Sequence, residues 1–293
     1  MVLSKGDNFL SLKDYDKNDI LKTLDAIKTY DDQNLKRFIP NKKKLIANLF
    51  YEPSTRTSSS FYAAATYLGH EVLSINNVQY SSVAKGETLE DTIRTLACYV
   101  HAIVLRHPEQ GAAQRAANVS TVPIINAGDG VGEHPTQTLL DLYTIYKQHR
   151  VLDGLSVTVM GDLMHGRTIH SLVDALALFD VNINLVSPEH LRLPSEYGLG
   201  LKRNEYLSLE KSIAATTDVL YMTRVQRERG ATGTYSFTRE DAQNLPQHAI
   251  VMHPLPRVDE LPDWFDTDPR AKYFQQMSNG LAVRKYLLGE ILG

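Results

Sequence analysis

The residue pattern predicts an α/β protein made of two doubly wound parallel-sheet domains. Short β-prone apolar runs alternate with helical periodicity from Leu45 onward, which is the mark of crossover units rather than hairpins. Charged or glycine-rich turns follow those runs, at the strand ends where open parallel sheets hold their ligands. A chain of 293 residues at 43% apolar composition can bury more than a single core organises, so two domains are expected.

The first helix rests on Ile20, Leu24 and Ile27, with Asp16 as its cap. Leu45–Tyr51 is short and apolar enough to be a buried strand. Pro53 breaks it, and Ser54, Thr55, Arg56 and Thr57 open a helix with Phe61, Ala65 and Leu68 on one face and Gly69 as its stop. Hydroxyls, backbone N–H groups and a guanidinium gathered at a helix N-terminus suit an oxyanion, most simply a phosphate. A cation there is otherwise disfavoured by roughly 0.3–1 kcal/mol. The same residues also fit an ordinary Ser/Thr cap beside a solvated Arg.

Glu71–Ile75 reads as a strand, followed by a polar loop carrying Ser81, Ser82 and Lys85. The next helix has Leu89, Ile93 and Leu96 on its apolar face. Lys85 either serves a ligand or pairs with Glu87, Glu90 or Asp91. Cys98, at the end of that helix, is expected to be a packed core thiol. Strand 102–105 ends in Arg106-His107-Pro108, and strand 123–126 ends in the turn Gly128-Asp129-Gly130. His134 then precedes Pro135, a residue suited to the first helical position, with Leu139, Leu142, Tyr143 and Tyr146 behind it. A helix N-terminus favours neutral imidazole, although a His there also serves simply as a cap. Asp153-Gly154 marks a turn on the way into the second domain.

Leu155–Met160 is a strand that runs into Gly161-Asp162-Leu163-Met164-His165-Gly166-Arg167-Thr168. This falls one residue short of a nucleotide-binding P-loop because Arg167 occupies the Lys position, and a planar guanidinium suits a carboxylate. With no apolar strand offering an Asp for Mg²⁺, an NTPase is the weaker alternative. Val181–Val186 is the next strand, and residues 187–208 are too polar to assign. Asp218–Met222 ends in Thr223-Arg224-Val225-Gln226, with Arg229 beyond. A short helix is predicted around Arg239–Asn244. Ala249–Met252 ends in His253-Pro254-Leu255-Pro256-Arg257, whose prolines fix a turn that presents carbonyl oxygens. A long helix, interrupted by Gly280, runs from Arg270 to Leu292.

A formal charge of −3 gives no nucleic-acid or membrane footprint, and the single cysteine rules out an internal disulfide. Without an apolar leader or a run of membrane-spanning length, a cytoplasmic protein is expected. No metal-ligand cluster, dinucleotide fingerprint or paired catalytic carboxylates stand out, so neither a metal nor a cofactor is expected. Arg56, Arg106, Arg167, Arg224 and Arg257 all fall at predicted strand ends, with His134 among them. Such a set implies ligands with several negative charges, and chemistry run by positioning and electrostatic stabilisation.

Taken together and in order, Ser54-Thr55-Arg56-Thr57, His134-Pro135-Thr136-Gln137, Gly161-Asp162-Leu163 with Gly166-Arg167-Thr168, and His253-Pro254-Leu255-Pro256-Arg257 resemble the aspartate carbamoyltransferase family. The resemblance implies the carbamoyltransferase-like fold, with domains 1–134 plus 272–293 and 135–271 linked by long helices. It implies transfer of a carbamoyl group from carbamoyl phosphate to L-aspartate, a step of pyrimidine synthesis. Ser54, Thr55, Arg56 and Thr57 would hold the phosphate, with Ser81 and Lys85 reaching in from an adjacent subunit of a homotrimer with shared active sites. Lys85 would also meet aspartate. Thr57, Arg106 and His134 would be the catalytic donors to the carbonyl oxygen. Gln137 and the Pro254 carbonyl would bind the carbamoyl NH₂, and the Leu255 carbonyl the attacking amine. Arg167 and Thr168 would take the α-carboxylate, and Arg224 and Gln226 the side-chain carboxylate. Glu52 would bridge to Arg167 and Arg229 on domain closure. The resemblance also admits regulatory chains or a multienzyme context as partners.

Two features depart from the family: Met164 stands where many members carry Lys, and the 230–246 loop is short, which puts allosteric regulation in doubt. The rivals are ornithine carbamoyltransferase, whose last loop typically has Cys where Pro254 stands, and a catalytically dead scaffold, which usually loses part of the phosphate motif.

Overall fold

The computed structural model describes residues 3–32, 42–76, 86–130, 132–225 and 235–293. Ser81, Lys85, Gln226 and Arg229 lie outside these described residues. The chain forms two compact units, Met1–Leu139 with Asn279–Gly293, and Leu140–Ser278.

The first unit opens with helix α1 (Lys17–Asp32) and continues β1 (Leu45–Phe50), α2 (Thr55–Tyr67), β2 (Glu71–Ile75), α3 (Leu89–Ala97), β3 (Ala102–His107), α4 (Ala112–Val119) and β4 (Ile124–Asp129). Its four strands are parallel in the order β2-β1-β3-β4, with Phe50 opposite Arg106 in the register. Leu49, Ile93, Leu96, Ile103, Leu105 and Ile124 pack a core between sheet and helices. The N-terminal segment adds to the β4 edge: Phe9 N–H donates to Ile124 O at 2.9 Å, and Asn126 N–H to Phe9 O at 2.8 Å.

Helix α5 (Pro135–His149) and the last helix carry the chain across the unit limits. The second unit holds β5 (Ser156–Met160), α6 (Arg167–Leu176), β6 (Asn182–Val186), β7 (Lys202–Tyr206), α7 (Lys211–Ala214), β8 (Val219–Met222), α8 (Arg239–Asn244), β9 (Ile250–Met252) and the start of α9 (Tyr273–Leu292). Its sheet is parallel in the order β7-β6-β5-β8-β9. Met160, Leu220, Met222, Phe237, Val251 and Phe265 form its core.

Four features differ from the sequence reading. Strand β7 lies inside the unassigned 187–208 segment; its Lys-Arg-Asn-Glu-Tyr side chains are mostly exposed, and it is held by its backbone ladder to β6. Helix α4, unassigned from the sequence, fully buries only the small residues Ala112, Ala113 and Ala116. The last helix starts at Tyr273 rather than Arg270, because Arg270 is a tether: its Nη1 donates to the carbonyls of Ala242 and Leu245 at 2.7 and 2.8 Å, and its Nη2 to Asp268 at 2.8 Å. Cys98 is exposed at the end of α3, its thiol 3.3 Å from Arg94 O, and is not a core residue.

Both sheets reverse strand order at one point, between β1 and β3 in the first and between β5 and β8 in the second. Open α/β sheets bind ligands beyond the strand ends at such a reversal.

Candidate active site

In the first unit, β1 delivers the chain to Glu52 and to Ser54, the cap of α2. The Ser54 side chain makes no capping bond, and Ser58 N–H instead donates to Ser54 O at 3.0 Å. The first-turn N–H groups of α2 are therefore not served by that hydroxyl, and Thr55, Arg56 and Thr57 surround them. Arg56 is exposed, while Thr57 is buried at the base of the turn. This is the anion-suited arrangement the sequence predicts.

Arg106 stands at the end of β3, opposite Phe50. Its Nη1 lies 3.4 Å from His134 Nε2 and 3.4 Å from Ala127 O. Its Nε lies 3.3 Å from Glu52 Oε2, a contact of opposite charges outside hydrogen-bond alignment. So Glu52, expected to meet Arg167 and Arg229, pairs in this structure with Arg106. His134 is buried just ahead of α5, and its carbonyl accepts the N–H groups of Gln137 and Thr138 at 2.9 and 3.1 Å. Because a guanidinium only donates, Nε2 accepts from Arg106, which leaves the ring proton on Nδ1, 3.5 Å from Thr136 Oγ1.

Gly128 makes this approach possible. With φ at +122°, a Cβ there would stand 3.3 Å from Arg106 Nη1 and 3.6 Å from His134 Cδ2. The sequence reading noted the glycine-rich turn without assigning it this part.

The second unit repeats the design. Strand β5 is followed by Gly161, where φ is +130° and a Cβ would meet Thr223 O at 2.2 Å, so only glycine lets the chain stay this close to the end of β8 at the reversal. Helix α6 then starts at Arg167, with Thr168 next and Gly166 as a cap that has no side chain to offer. Arg167, Thr168 and Arg224 are half-buried. Between them the 161–166 turn is braced from within. Asp162, fully buried, accepts His165 N–H at 3.0 Å and faces His165 Nδ1 at 3.1 Å. The His170 ring lies 2.9 Å from Leu163 O and stacks on Tyr197. Burial pushes the His170 pKa down, which favours the neutral ring that donates from Nε2.

After β9, Pro254 and Leu255 are half-buried, Leu255 has φ of +53°, and the Leu255–Pro256 bond is cis. Arg257 departs from its expected place among the ligand-seeking guanidiniums. Both its Nη atoms bond Asp266, Nη2 at 2.7 Å, and the Tyr273 hydroxyl donates to the same carboxylate. A bidentate Arg–carboxylate pair is a satisfied structural unit. Among the described residues no group of His, Cys, Asp or Glu could hold a metal ion, and no helix is long and apolar enough to cross a membrane.

Residues 7–147 match the family model described as aspartate/ornithine carbamoyltransferase, carbamoyl-P binding domain, and residues 153–290 match its Asp/Orn binding domain. The chain belongs to the aspartate/ornithine carbamoyltransferase family. Among members of that family, the aspartate carbamoyltransferase catalytic subunit of Archaeoglobus fulgidus is 45% identical over 97% of this chain and 99% of that protein. The multifunctional protein CAD of Squalus acanthias is 48% identical over 86% of this chain, which matches 12% of that longer protein. Aspartate transcarbamoylase from Trypanosoma cruzi, in complex with N-(phosphonacetyl)-L-aspartic acid, superposes with a TM-score of 0.90 at 37% identity, covering 99% of this chain and 97% of that one. In carbamoyltransferase terms, each domain model covers one strand reversal and one helix that opens on a guanidinium.

Proposed function

We propose that this chain is an aspartate carbamoyltransferase: it transfers the carbamoyl group of carbamoyl phosphate to the amine of L-aspartate, giving N-carbamoyl-L-aspartate and phosphate. Two observations carry this reading. A relative matching nearly end to end bears the aspartate name, and a structure of the same fold holds a ligand with a phosphonate and two carboxylates. Arg56, Arg106, Arg167 and Arg224, which stand at or beyond strand ends in both units, supply the positive charge that such a reactant pair demands.

In this reading the first turn of α2, with Ser54, Thr55, Arg56 and Thr57, grips the phosphate. Thr57 and Arg106 donate to the carbamoyl oxygen, and His134 joins them once Arg106 turns its N–H to the substrate and Nε2 takes the ring proton. The aspartate amine attacks the carbonyl carbon, negative charge collects on the oxygen, and collapse breaks the bond to phosphate. The departing phosphate takes the amine proton. Each such donor is worth about 2.7–4 kcal/mol of transition-state stabilisation. Gln137 and the Pro254 carbonyl take the carbamoyl NH₂, and the Leu255 carbonyl takes the amine. Arg167 and Thr168 receive the α-carboxylate, and Arg224 with Gln226 the side-chain carboxylate. Ser81 and Lys85 come from the adjacent subunit of a homotrimer. The carbamoyl phosphate half is taken as 1–134 plus 272–293 and the aspartate half as 135–271. The scheme uses no cofactor, and it places the enzyme in the cytoplasm at a step of pyrimidine synthesis, alone or beside regulatory or multienzyme partners.

A colorimetric ureido assay with carbamoyl phosphate and either aspartate or ornithine tests the assignment. Product with aspartate alone is expected. Product with ornithine alone would overturn it, and silence with both would favour the scaffold. Arg224→Ala should raise the KM for aspartate while sparing carbamoyl phosphate; an equal loss for both would count against the assigned contact.

A further inference from the structure

The turn after β9 is braced by buried polar groups that the reaction scheme leaves idle. His253, Glu260, Gln276, Asp141 and Tyr221 are each at most 2% exposed. Leu255 N–H donates to His253 Nδ1 at 2.9 Å, so that nitrogen is the acceptor and the ring proton resides on Nε2. Nε2 donates in turn to Glu260 Oε1 at 2.8 Å, and Glu260 also takes Val258 N–H at 3.2 Å. The main-chain N–H of His253 donates to Gln276 Oε1 at 2.9 Å. The Gln276 amide donates to Asp141 Oδ1 at 2.6 Å, and the Tyr221 hydroxyl to Asp141 Oδ2 at 2.9 Å.

Burial holds the His253 pKa low and so favours the neutral ring. Burial opposes the charge on Glu260, but the His253 hydrogen bond and backbone N–H groups outweigh it and keep the carboxyl below its ordinary pKa. Such a pair is a poor choice for packing alone, because apolar residues of the same volume stabilise a core at least as well. What it does govern is Leu255, whose φ of +53° is a conformation leucine rarely adopts and whose N–H the imidazole pins.

We propose that Glu260, acting through the His253 ring, is a positioning group that fixes the left-handed Leu255 and so aims the Pro254 and Leu255 carbonyls at the carbamoyl NH₂ and the attacking amine. The inference rests on the carbonyl roles given under the proposed function.

Steady-state kinetics on the full chain with carbamoyl phosphate and aspartate test it, using His253→Ala, His253→Asn and Glu260→Gln. Asn can place its Oδ1 near the site of His Nδ1 and keep an acceptor for Leu255 N–H; Ala cannot. Gln keeps one acceptor, shared by the ring and Val258 N–H, but replaces the second oxygen, 3.3 Å from that N–H, with an NH₂ and removes the charge that holds the ring. With misaimed carbonyls, kcat should fall about a hundredfold in His253→Ala and about tenfold in Glu260→Gln, with His253→Asn regaining roughly tenfold over Ala. KM for carbamoyl phosphate should stay within about threefold, because α2 grips the phosphate. Equal losses in the Ala and Asn variants, or an undiminished kcat in Glu260→Gln, would overturn the inference. Should the His253 variants fail to fold, Glu260→Gln decides alone, its folding checked by thermal melting. An inactive parent would sink the proposed function and this inference with it, whereas an active parent with a fully active Glu260→Gln sinks only the latter.

Discussion

Arg106 is held between a carboxylate and an imidazole: Nε is 3.3 Å from Glu52 Oε2, and Nη1 is 3.4 Å from His134 Nε2. In the proposed site carbamoyl phosphate brings its own negative charge to Arg106, so Glu52 and the substrate would compete for one guanidinium. Glu52→Gln should therefore tighten carbamoyl phosphate binding by about fivefold, the equivalent of about 1 kcal/mol for a partly exposed pair. If Glu52 also serves the closed state, kcat with aspartate should fall in the same variant. Calorimetric titration beside steady-state rates measures both, and weaker carbamoyl phosphate binding in Glu52→Gln would refute the competition.

Gly128 lets Arg106 and His134 meet. Gly128→Ala introduces a Cβ 3.3 Å from Arg106 Nη1 at a φ of +122°, which alanine avoids. Stability should drop by about 1–3 kcal/mol from the backbone alone. The kcat should fall about tenfold or more, because the guanidinium moves from the carbonyl it serves in the proposed scheme. A variant that melts lower but turns over normally would show that the contact is not needed for catalysis.

The Arg257–Asp266–Tyr273 cluster predicts a stability effect with a definite pH dependence. Hydrogen bonding from Arg257, then from Tyr273, holds the Asp266 carboxyl below its usual range. A carboxylate whose folded pKa is depressed contributes stability above its unfolded value, near 4, and loses it as pH falls through the lower folded value. Asp266→Asn should thus cost about 1 kcal/mol at pH 7, discounted for partial exposure, and less and less below about pH 4. Denaturant melts from pH 7 to pH 3 read this, and a gap that widens in acid would contradict the pairing. KM for both substrates should be unmoved.

Arg257 also marks where sequence reading stops. Its strand-end position matched that of Arg56, Arg106, Arg167 and Arg224, and motif spacing could not tell a ligand-seeking guanidinium from one satisfied nine residues away by Asp266. The sheets were legible because their strands are short apolar runs, as in Val219–Met222, where all four residues are buried. Strand β7 was not, since Lys202-Arg203-Asn204-Glu205-Tyr206 carries no apolar run, and it is placed by its backbone ladder to β6. The helix starts at Thr55 and Arg167 were visible through their polar residues, and both are the first residue of their helices. The support behind the turn after β9 was hidden: Glu260 reads as one acid among several in Val258-Asp259-Glu260, and only its contact with His253 reveals its part.

Shared active sites are the remaining expectation with a direct test. Lys85 is assigned to a site whose His134 belongs to the neighbouring chain, so each active centre of a homotrimer needs one intact copy of both. Lys85→Ala and His134→Ala trimers should each be nearly inactive, since each lacks one partner at all three sites. After dissociation and random reassociation of equal amounts, one interface in four pairs an intact Lys85 with an intact His134, so activity should return to about a quarter of the parent's. That figure follows from chance assortment, and it separates shared sites from trace contamination, which would not depend on mixing. If differently tagged chains exchange and activity stays at the level of the unmixed variants, each protomer holds its own complete site.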